Sequence, residues 1–126
     1  MADITDISVS GVTIDAAEPE QLAAWWAEAL GWRLDGSCCF APGGGLQRLE
    51  FMPVPETKRG KNRVHIDFGA EDVQAAVDRL VAMGATIAWE EDFPPELRYR
   101  NLVLRDPEGN EFCVGGPVGA DQDPGS

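Results

Sequence analysis

The chain carries one structural pattern twice, and this internal repeat constrains its fold more than any other feature. Each copy reads as a short strand, an amphipathic helix, a glycine stop and a second strand. The matching positions are Val12, Ile14 and Asp15 in the first copy, and Val64, Ile66 and Asp67 in the second. A repeat period of about 50 residues is typical of a duplicated supersecondary unit. The sequence therefore predicts two similar modules in tandem.

Both predicted helices have recognisable ends. Pro19 suits the first helical turn, where its missing N–H costs nothing, and Gly31 can take the left-handed conformation that ends a helix. Glu71 and Asp72 lie at the positive end of the second helix dipole, and Gly84 stops that helix. Apolar residues three and four positions apart predict the buried faces, namely Leu22, Trp25, Trp26, Ala29 and Leu30, and then Val73, Val77, Leu80 and Val81.

The remaining segments alternate like strands and form two predicted hairpins. "CCFA" and "LQRLEFMPV" are joined by "PGGG", and "RNLVLR" and "EFCVG" are joined by "DPEGN", where Pro107 and Gly109 favour a turn. Each half therefore reads strand–helix–strand–strand–strand. We predict an α+β fold of two βαβββ modules in a single domain, residues 1–126. Module one covers about 5–56, module two about 63–116, and a loose tail 117–126.

The charge of the chain limits its partners and its location. Ten Lys and Arg residues against 22 Asp and Glu residues give a net charge of −12, which repels nucleic acid and anionic membranes. The segment "KRGKNR" contains four basic residues, Lys58, Arg59, Lys61 and Arg63. They could bind an anionic group, or the segment could be an exposed linker. No apolar stretch reaches the roughly 20 residues of a membrane span, and no signal peptide is recognisable. Three cysteines without CxxC spacing predict reduced thiols and a cytoplasmic location.

The single histidine, His65, lies on a predicted strand whose side chains alternate between two faces. Val64, Ile66 and Phe68 share the face towards the helix, whereas His65 and Asp67 share the other. On the last strand, Glu111 and Cys113 lie opposite Phe112 and Val114. If the sheet curves, the four polar residues converge. His65 then has three interpretations: a hydrogen-bonding wall residue of a pocket, a proton-transfer group oriented by Asp67 or Glu111, or a structural histidine.

The doubled unit, with "VHIDF" opening its second copy and "LRDPEGNEFCV" closing it, resembles the vicinal oxygen chelate superfamily. That superfamily includes glyoxalases, bleomycin-resistance proteins and extradiol dioxygenases. "DAAEPEQLAAWWAEALGW" and "PVPETKRGKNRVHIDF" are most similar to its glyoxalase-like branch, and the likeness runs from about Ile7 to Val114. The resemblance implies curved mixed sheets around a cup, helices on the outer side, and a homodimer.

In the metal-dependent members that the chain resembles, each half supplies two ligands to one divalent ion. Carried over by position, the third ligand falls on His65, the second on Glu50 and the fourth on Cys113, where a carboxylate is usual. The first falls on Gly11 or Thr13, neither of which is a good donor. Because such a site needs three or four oxygen or nitrogen donors, no metal cofactor is favoured. If a divalent metal is present, Glu50 and His65 hold it.

The favoured function is binding of a small organic molecule in the cup without an obligatory metal, as in bleomycin-resistance-like proteins. A cationic ligand fits the acidic charge of the chain. Tryptophan side chains on the strand after each helix can stack on such a ligand, or they can pack in the core instead. The predicted ligand-binding residues are His65, Glu50, Cys113, Glu111, Trp32 and Trp89. Two enzymatic alternatives stay open. One is a metal-dependent lyase, isomerase or dioxygenase, and the other is a metal-free acid–base enzyme using His65.

Overall fold

The computed structural model describes residues 9–43 and 48–118, and the chain divides into two compact units, Met1–Thr57 and Lys58–Ser126. The first unit contains β1 (Val12–Ala16), α1 (Pro19–Leu30), β2 (Arg33–Asp35), β3 (Cys38–Phe40) and β4 (Arg48–Pro53). The second contains β5 (Ile66–Gly69), α2 (Val73–Ala82), β6 (Thr86–Glu90), a 3₁₀ turn (Pro95–Leu97), β7 (Tyr99–Arg105) and β8 (Glu111–Pro117). The predicted α+β class and the duplicated βαβββ order are both confirmed.

The first unit is a four-stranded mixed sheet in the order β1-β4-β3-β2, with β1 parallel to β4 and the other pairs antiparallel. Its core lies between α1 and the face of the sheet that carries Cys39, Leu49 and Phe51, all of which are buried. The second half of the predicted turn "PGGG" between β3 and β4 lies outside the described residues, as does the tail from residue 119.

The buried face of α1 differs from the predicted stripe. Leu22 and Trp26 are buried as expected, but Ala23 and Ala27 complete the face, while Trp25, Ala29 and Leu30 are half-buried. The small alanine side chains let the helix approach the sheet closely, so the apolar stripe is centred on them. Gly31 ends α1 in the left-handed conformation, with φ of 69°, as predicted.

The second unit repeats this plan in the order β5-β8-β7-β6, with β5 parallel to β8. Its core contains Val73, Val77 and Leu80 of α2 and the buried apolar residues of β7 and β8, among them Leu102, Leu104, Phe112 and Val114. No helix among residues 9–43 and 48–118 has the length and the apolar content needed to cross a membrane.

Two predicted apolar contacts of the second unit are wrong. Val81, expected in the core, is 41% exposed, because it lies at the edge of the α2 stripe. Val64, expected to face the helix, is 78% exposed, because β5 begins only at Ile66 and the chain before it is not part of the sheet. His65 therefore lies immediately before the strand rather than within it.

An irregularity in β6 changes the alignment of its side chains. Ile87 pairs with Leu104 and Trp89 with Val103, so the register shifts between these two pairs. Such a bulge leaves one residue of the strand without a partner and turns the side chains that follow. The sequence pattern did not predict it.

The start of α2 provides a test of local stability. The Asp72 carboxylate accepts a hydrogen bond from the backbone N–H of Ala75 at 3.0 Å, so Asp72 is a true N-cap. We expect Asp72→Ala to lower the free energy of unfolding by about 1 kcal/mol, the usual cost of losing such a cap. Urea unfolding followed by circular dichroism measures it. Asp72→Asn keeps an acceptor and should stay close to wild type; an equal loss in both variants would contradict the capping role.

Candidate functional site

One face of the second sheet carries Asp67, Asn101, Arg105, Glu111 and Cys113. Asp67 pairs with Cys113, Cys113 with Val103, and Val103 with Trp89, so a single row crosses all four strands. Directly paired residues point to the same side of a sheet. The alternate residues of β8, including Phe112 and Val114, point towards α2. We call the side carrying the Asp67–Trp89 row the polar face.

Three potential donor atoms meet on the polar face, from His65, Asp67 and Cys113. These atoms lie within 4.8 Å of one another, and His65 Nε2 is 3.2 Å from Asp67 Oδ1. The side chains of His65 and Asp67 are 42% and 76% exposed, whereas Cys113 is buried. This His–Asp–Cys group is therefore open to solvent on the side of its histidine and carboxylate. It brings together three of the four residues that the alternating pattern placed on one face.

The thiol of Cys113 is not activated by its surroundings. Burial raises its pKa, the neighbouring carboxylates of Asp67 and Glu91 raise it further, and a hydrogen bond with the Asn101 side chain offsets them only in part. A nucleophilic cysteine needs the opposite, a depressed pKa beside a cation. At neutral pH Cys113 is thus a protonated thiol, suited to hydrogen bonding rather than to attack.

Gly115 allows two polar side chains to lie over the strand beside Cys113. A Cβ atom at Gly115 would collide with the Tyr99 hydroxyl and would lie 2.7 Å from Asn101 Oδ1. Glycine inside a strand commonly marks such a close approach. Sequence reasoning did not single out Tyr99 or Asn101; the "GG" pair after "FCV" could have indicated a close approach at this strand, but not which side chains make it.

A cleft of about 420 Å³ opens where β6 ends and β7 begins. It is lined by Glu90, Glu91, Asp92, Phe93, Pro94, Pro95, Arg98, Tyr99, Arg100 and Val118. The rings of Phe93 and Tyr99 pack edge to face, with centroids 5.2 Å apart. Glu91 lines the cleft, and its charge is one of the causes that raise the pKa of Cys113.

Two of the carboxylates that line the cleft already have partners. The guanidinium of Arg100 donates to Glu90 at 2.9 and 3.1 Å and to Gln74 at 2.9 Å, which fixes its position. Trp89, predicted as an aromatic wall, donates its indole N–H to Glu91 at 3.0 Å and is 37% exposed. Its ring is thus accessible beside the cleft, and its position is fixed by a hydrogen bond.

Glu111 was predicted on this face together with His65, Asp67 and Cys113, but it has different neighbours from these three. Its buried carboxylate accepts a hydrogen bond from Lys61 at 3.0 Å and lies 3.5 Å from Arg105. Burial alone would raise its pKa, but the hydrogen bond from Lys61 and the charges of Lys61, Lys58 and Arg105 outweigh burial and lower it. Glu111 is therefore a carboxylate enclosed by cations. Lys61, from the segment "KRGKNR", also lies 5.2 Å from the Trp89 ring centroid.

In the first unit, the position of the first predicted metal ligand is filled by another side chain. A Cβ atom at Gly11 would lie 2.6 Å from Arg48 Cγ, so the stem of Arg48 occupies the space of the missing side chain. Arg48 Nη1 is 3.6 Å from Glu50 Oε1, and Thr13 is exposed opposite Glu50 in the sheet. Trp32, predicted on a strand, is half-buried and lies between Gly31 and the start of β2, outside the strand.

Comparison with known proteins shows the family of this chain. The sequence model of the glyoxalase-like domain matches residues 11–115. The chain belongs to the glyoxalase-like domain family. This confirms the resemblance to the vicinal oxygen chelate superfamily. No curated protein matches the sequence.

Solved structures share the fold of this glyoxalase-like chain at low identity. A glyoxalase/bleomycin resistance protein/dioxygenase family enzyme from Burkholderia phytofirmans PsJN has a TM-score of 0.70 at 18% identity, covering 89% of this chain and 100% of that one. A fosfomycin resistance protein from Listeria monocytogenes has a TM-score of 0.69 at 15% identity, covering 93% and 98%. A glyoxalase family protein from Bacillus cereus has a TM-score of 0.67 at 20% identity, covering 94% and 99%.

The first unit of this glyoxalase-like protein does not fit half of a divalent-metal site. Gly11 supplies no donor, and the stem of Arg48 fills the space where one would stand. The remaining predicted ligand, Glu50, lies beside a guanidinium, which repels a metal cation at the same place. The residues of this chain therefore do not match the four-ligand set implied by the metal-dependent members of the superfamily.

Proposed function

We propose that this glyoxalase-like protein binds a small organic molecule on the polar face of its second unit, without an obligatory metal. The observation that supports the proposal is a cleft with the aromatic rings of Phe93 and Tyr99 in the same unit as the His–Asp–Cys group, whose histidine is accessible to solvent. Binding sites for small molecules are concave, with apolar and aromatic walls and a few polar groups that fix orientation. The cleft supplies the walls, and His65 supplies an accessible hydrogen-bonding group.

The lining of the cleft favours a cationic, flat ligand. Phe93 and Tyr99 offer aromatic surface, and the neighbouring Glu91 and Asp92 offer negative charge. Aromatic rings attract cations through the negative faces of their π-systems, most strongly where water is excluded. An aromatic or quaternary amine meets both conditions. The net charge of −12 adds a long-range attraction for such a molecule.

A metal site in the second unit alone is the second candidate. His65, Asp67 and Cys113 offer nitrogen, oxygen and sulfur donors within 4.8 Å of one another, and zinc binds all three types. Binding would require the loss of the Cys113 proton, which its raised pKa opposes. Asp67 is not one of the positions that the family resemblance assigns, so this would be a different site from the one in metal-dependent relatives.

Titration with model ligands tests the proposed binding. Tryptophan fluorescence would follow the addition of aromatic and quaternary amines to the metal-stripped protein. We expect saturable binding, and His65→Ala should weaken it about tenfold, since a hydrogen bond of about 1.4 kcal/mol is lost. Glu56→Gln, in an exposed segment of the first unit, is the matched control and should bind like wild type. Unchanged affinity in His65→Ala would contradict the assigned role of the histidine.

Metal analysis separates the two candidates. Wild type and Cys113→Ala would be loaded in turn with Mn²⁺, Fe²⁺, Ni²⁺ and Zn²⁺, desalted, and measured by elemental analysis. Near one equivalent in wild type, lost in the variant, together with ligand binding only in the loaded protein, would overturn the metal-free proposal. Binding by the metal-stripped protein supports it.

A further inference from the structure

We infer that the second unit carries a further cation site, formed by the Trp89 ring and the Glu111 carboxylate, which takes the ammonium group of a small primary amine. The ammonium group of Lys61 occupies this site in the structure and closes it. The inference goes beyond the proposed function, since the cleft is lined by other residues. Three observations support it: one cation reaches both groups, the lysine that closes the site faces solvent, and other contacts hold the segment that carries this lysine.

One ammonium group already lies within reach of both partners. Lys61 Nζ donates a hydrogen bond to Glu111 Oε1 at 3.0 Å and lies 5.2 Å from the centroid of the Trp89 ring. A cation within about 6 Å of an aromatic ring is attracted by the negative face of the π-system, and hydrogen bonds between charged groups are stronger than neutral ones. The position of Nζ therefore marks a point where a ring and a carboxylate bind one cation together.

The bulge in β6 brings the tryptophan to this point. In a regular strand Ile87 and Trp89 would face the same side, because side chains two residues apart do so. Ile87 instead pairs with Leu104, which is buried, whereas Trp89 pairs with Val103 on the polar face. The irregularity thus turns Trp89 to the face that carries Glu111.

The lysine faces solvent, whereas the carboxylate beneath it does not. The Lys61 side chain is 62% exposed and that of Glu111 only 4%. A lysine held in one position loses much rotamer freedom, so release of Lys61 into water regains it and opens Glu111 Oε1 to a cation from solution. Arg105 lies 3.5 Å from the other carboxylate oxygen, Oε2, and leaves Oε1 as the acceptor for that cation.

Other contacts hold the segment that carries Lys61. The Asn62 side chain donates a hydrogen bond to the backbone carbonyl of Glu111 at 3.1 Å, and the Lys58 ammonium donates one to the carbonyl of Gly60. Gly60 has a φ of 74°, a left-handed conformation that lets the chain turn just before Lys61. The path of the segment therefore does not rest on the Lys61 side chain alone. Lys61 acts as a tethered competitor, present at the site at a high effective concentration.

The chemistry of the site favours a primary ammonium group. The carboxylate needs an N–H donor and the ring needs a positive charge, and a primary ammonium supplies both. The n-butylammonium ion has the same four carbons and the same charged group as a lysine side chain, so it is the matched probe. n-Butanol has the same carbon chain without the charge and serves as the neutral comparison.

Titration of the full chain with n-butylammonium, followed by the NMR signal of the Trp89 indole N–H, tests this inference; Trp89→Phe assigns that signal. We expect Lys61→Ala to bind the probe at least about tenfold more tightly than wild type, the factor that results when the lysine leaves the site open about a tenth of the time. Lys61→Gln also lacks the cation and should show a gain in the same direction. Lys61→Arg keeps a tethered cation and should stay close to wild type.

Two controls separate cation recognition from other effects of these variants. Arg59→Ala removes a charge from an exposed position of the same segment and should bind the probe like wild type. Lys61→Ala combined with Glu111→Gln should lose the gain, because the carboxylate is gone.

Three results would overturn the inference: equal affinity in wild type and Lys61→Ala, a gain that persists without the Glu111 carboxylate, or n-butanol binding as tightly as n-butylammonium. Absence of saturation in Lys61→Ala up to about 100 mM would overturn it as well. The proposed function instead predicts ligand binding to wild type that depends on His65, so the two fail independently.

Discussion

Replacing Phe112 by alanine is expected to lower the free energy of unfolding by about 3–5 kcal/mol, the usual cost of emptying a buried aromatic position. Phe112 is 2% exposed and packs edge to face against Phe68, with ring centroids 5.9 Å apart. It lies on β8 between Glu111 and Cys113, and its burial towards α2 holds these two residues on the polar face. Urea unfolding by circular dichroism gives the change in stability.

A milder substitution at the same position is the control. Phe112→Leu keeps most of the apolar volume and should cost less than half as much, because the residual cavity is smaller. Ligand affinity should fall in Phe112→Ala but not in Phe112→Leu, since the orientation of Cys113 depends on the packing beneath it. A loss below about 1 kcal/mol in Phe112→Ala would show that this side chain is not part of the core.

Replacing Glu111 by glutamine is expected to lower the free energy of unfolding by about 1–3 kcal/mol at pH 7, the range for losing a hydrogen bond between charged groups. The variant keeps the shape of the side chain but leaves Lys61 and Arg105 without their shared carboxylate. Both cations are partly exposed, with side-chain exposures of 62% and 44%. Water therefore compensates part of the loss, which keeps it below the cost of a fully buried pair.

The effect of Glu111→Gln should depend on pH with a definite sign. The folded pKa of Glu111 lies below its ordinary value of 4.5, so its contribution is complete above pH 4.5 and is lost as the pH falls through the folded pKa. The stability difference between wild type and variant should therefore shrink between pH 7 and pH 3. Glu96→Gln, an exposed change in the same unit, is the control. A difference that stays constant over this range would contradict the assigned ion pairs.

Much of the fold was predictable because its signals are local. Pro19 and Gly31 mark the ends of α1, and the duplicated pattern fixes the order of elements in both units. The errors come from tertiary packing. Helical spacing identifies a stripe but not its centre, which is why Trp25 was expected in the core. Nor does alternation indicate where a strand begins, so Val64 was placed on the sheet although it precedes β5.

The candidate site was predictable only in part, since period two assigns residues to faces but gives no cross-strand distances. It placed His65, Asp67 and Cys113 on one side, and the register of β5 with β8 brings them within reach. The hydrogen bond from Lys61 to Glu111 depends on how the segment before β5 folds back. No local sequence pattern predicts the path of that segment. The same limit applies to Arg48, whose place over Gly11 depends on strands distant in sequence.

The parallel pairing of β5 with β8 has a consequence for how the His–Asp–Cys group forms during folding. His65 and Asp67 lie near the start of the second unit and Cys113 near its end. Both β6 and β7 therefore lie between them in the chain. Contacts between such distant positions form only after a large loss of chain entropy from loop closure, and they slow folding. A chain still emerging from the ribosome has the helix and the β6–β7 pairing before it has β8. The geometry of the His–Asp–Cys group is therefore absent until the last strand is complete.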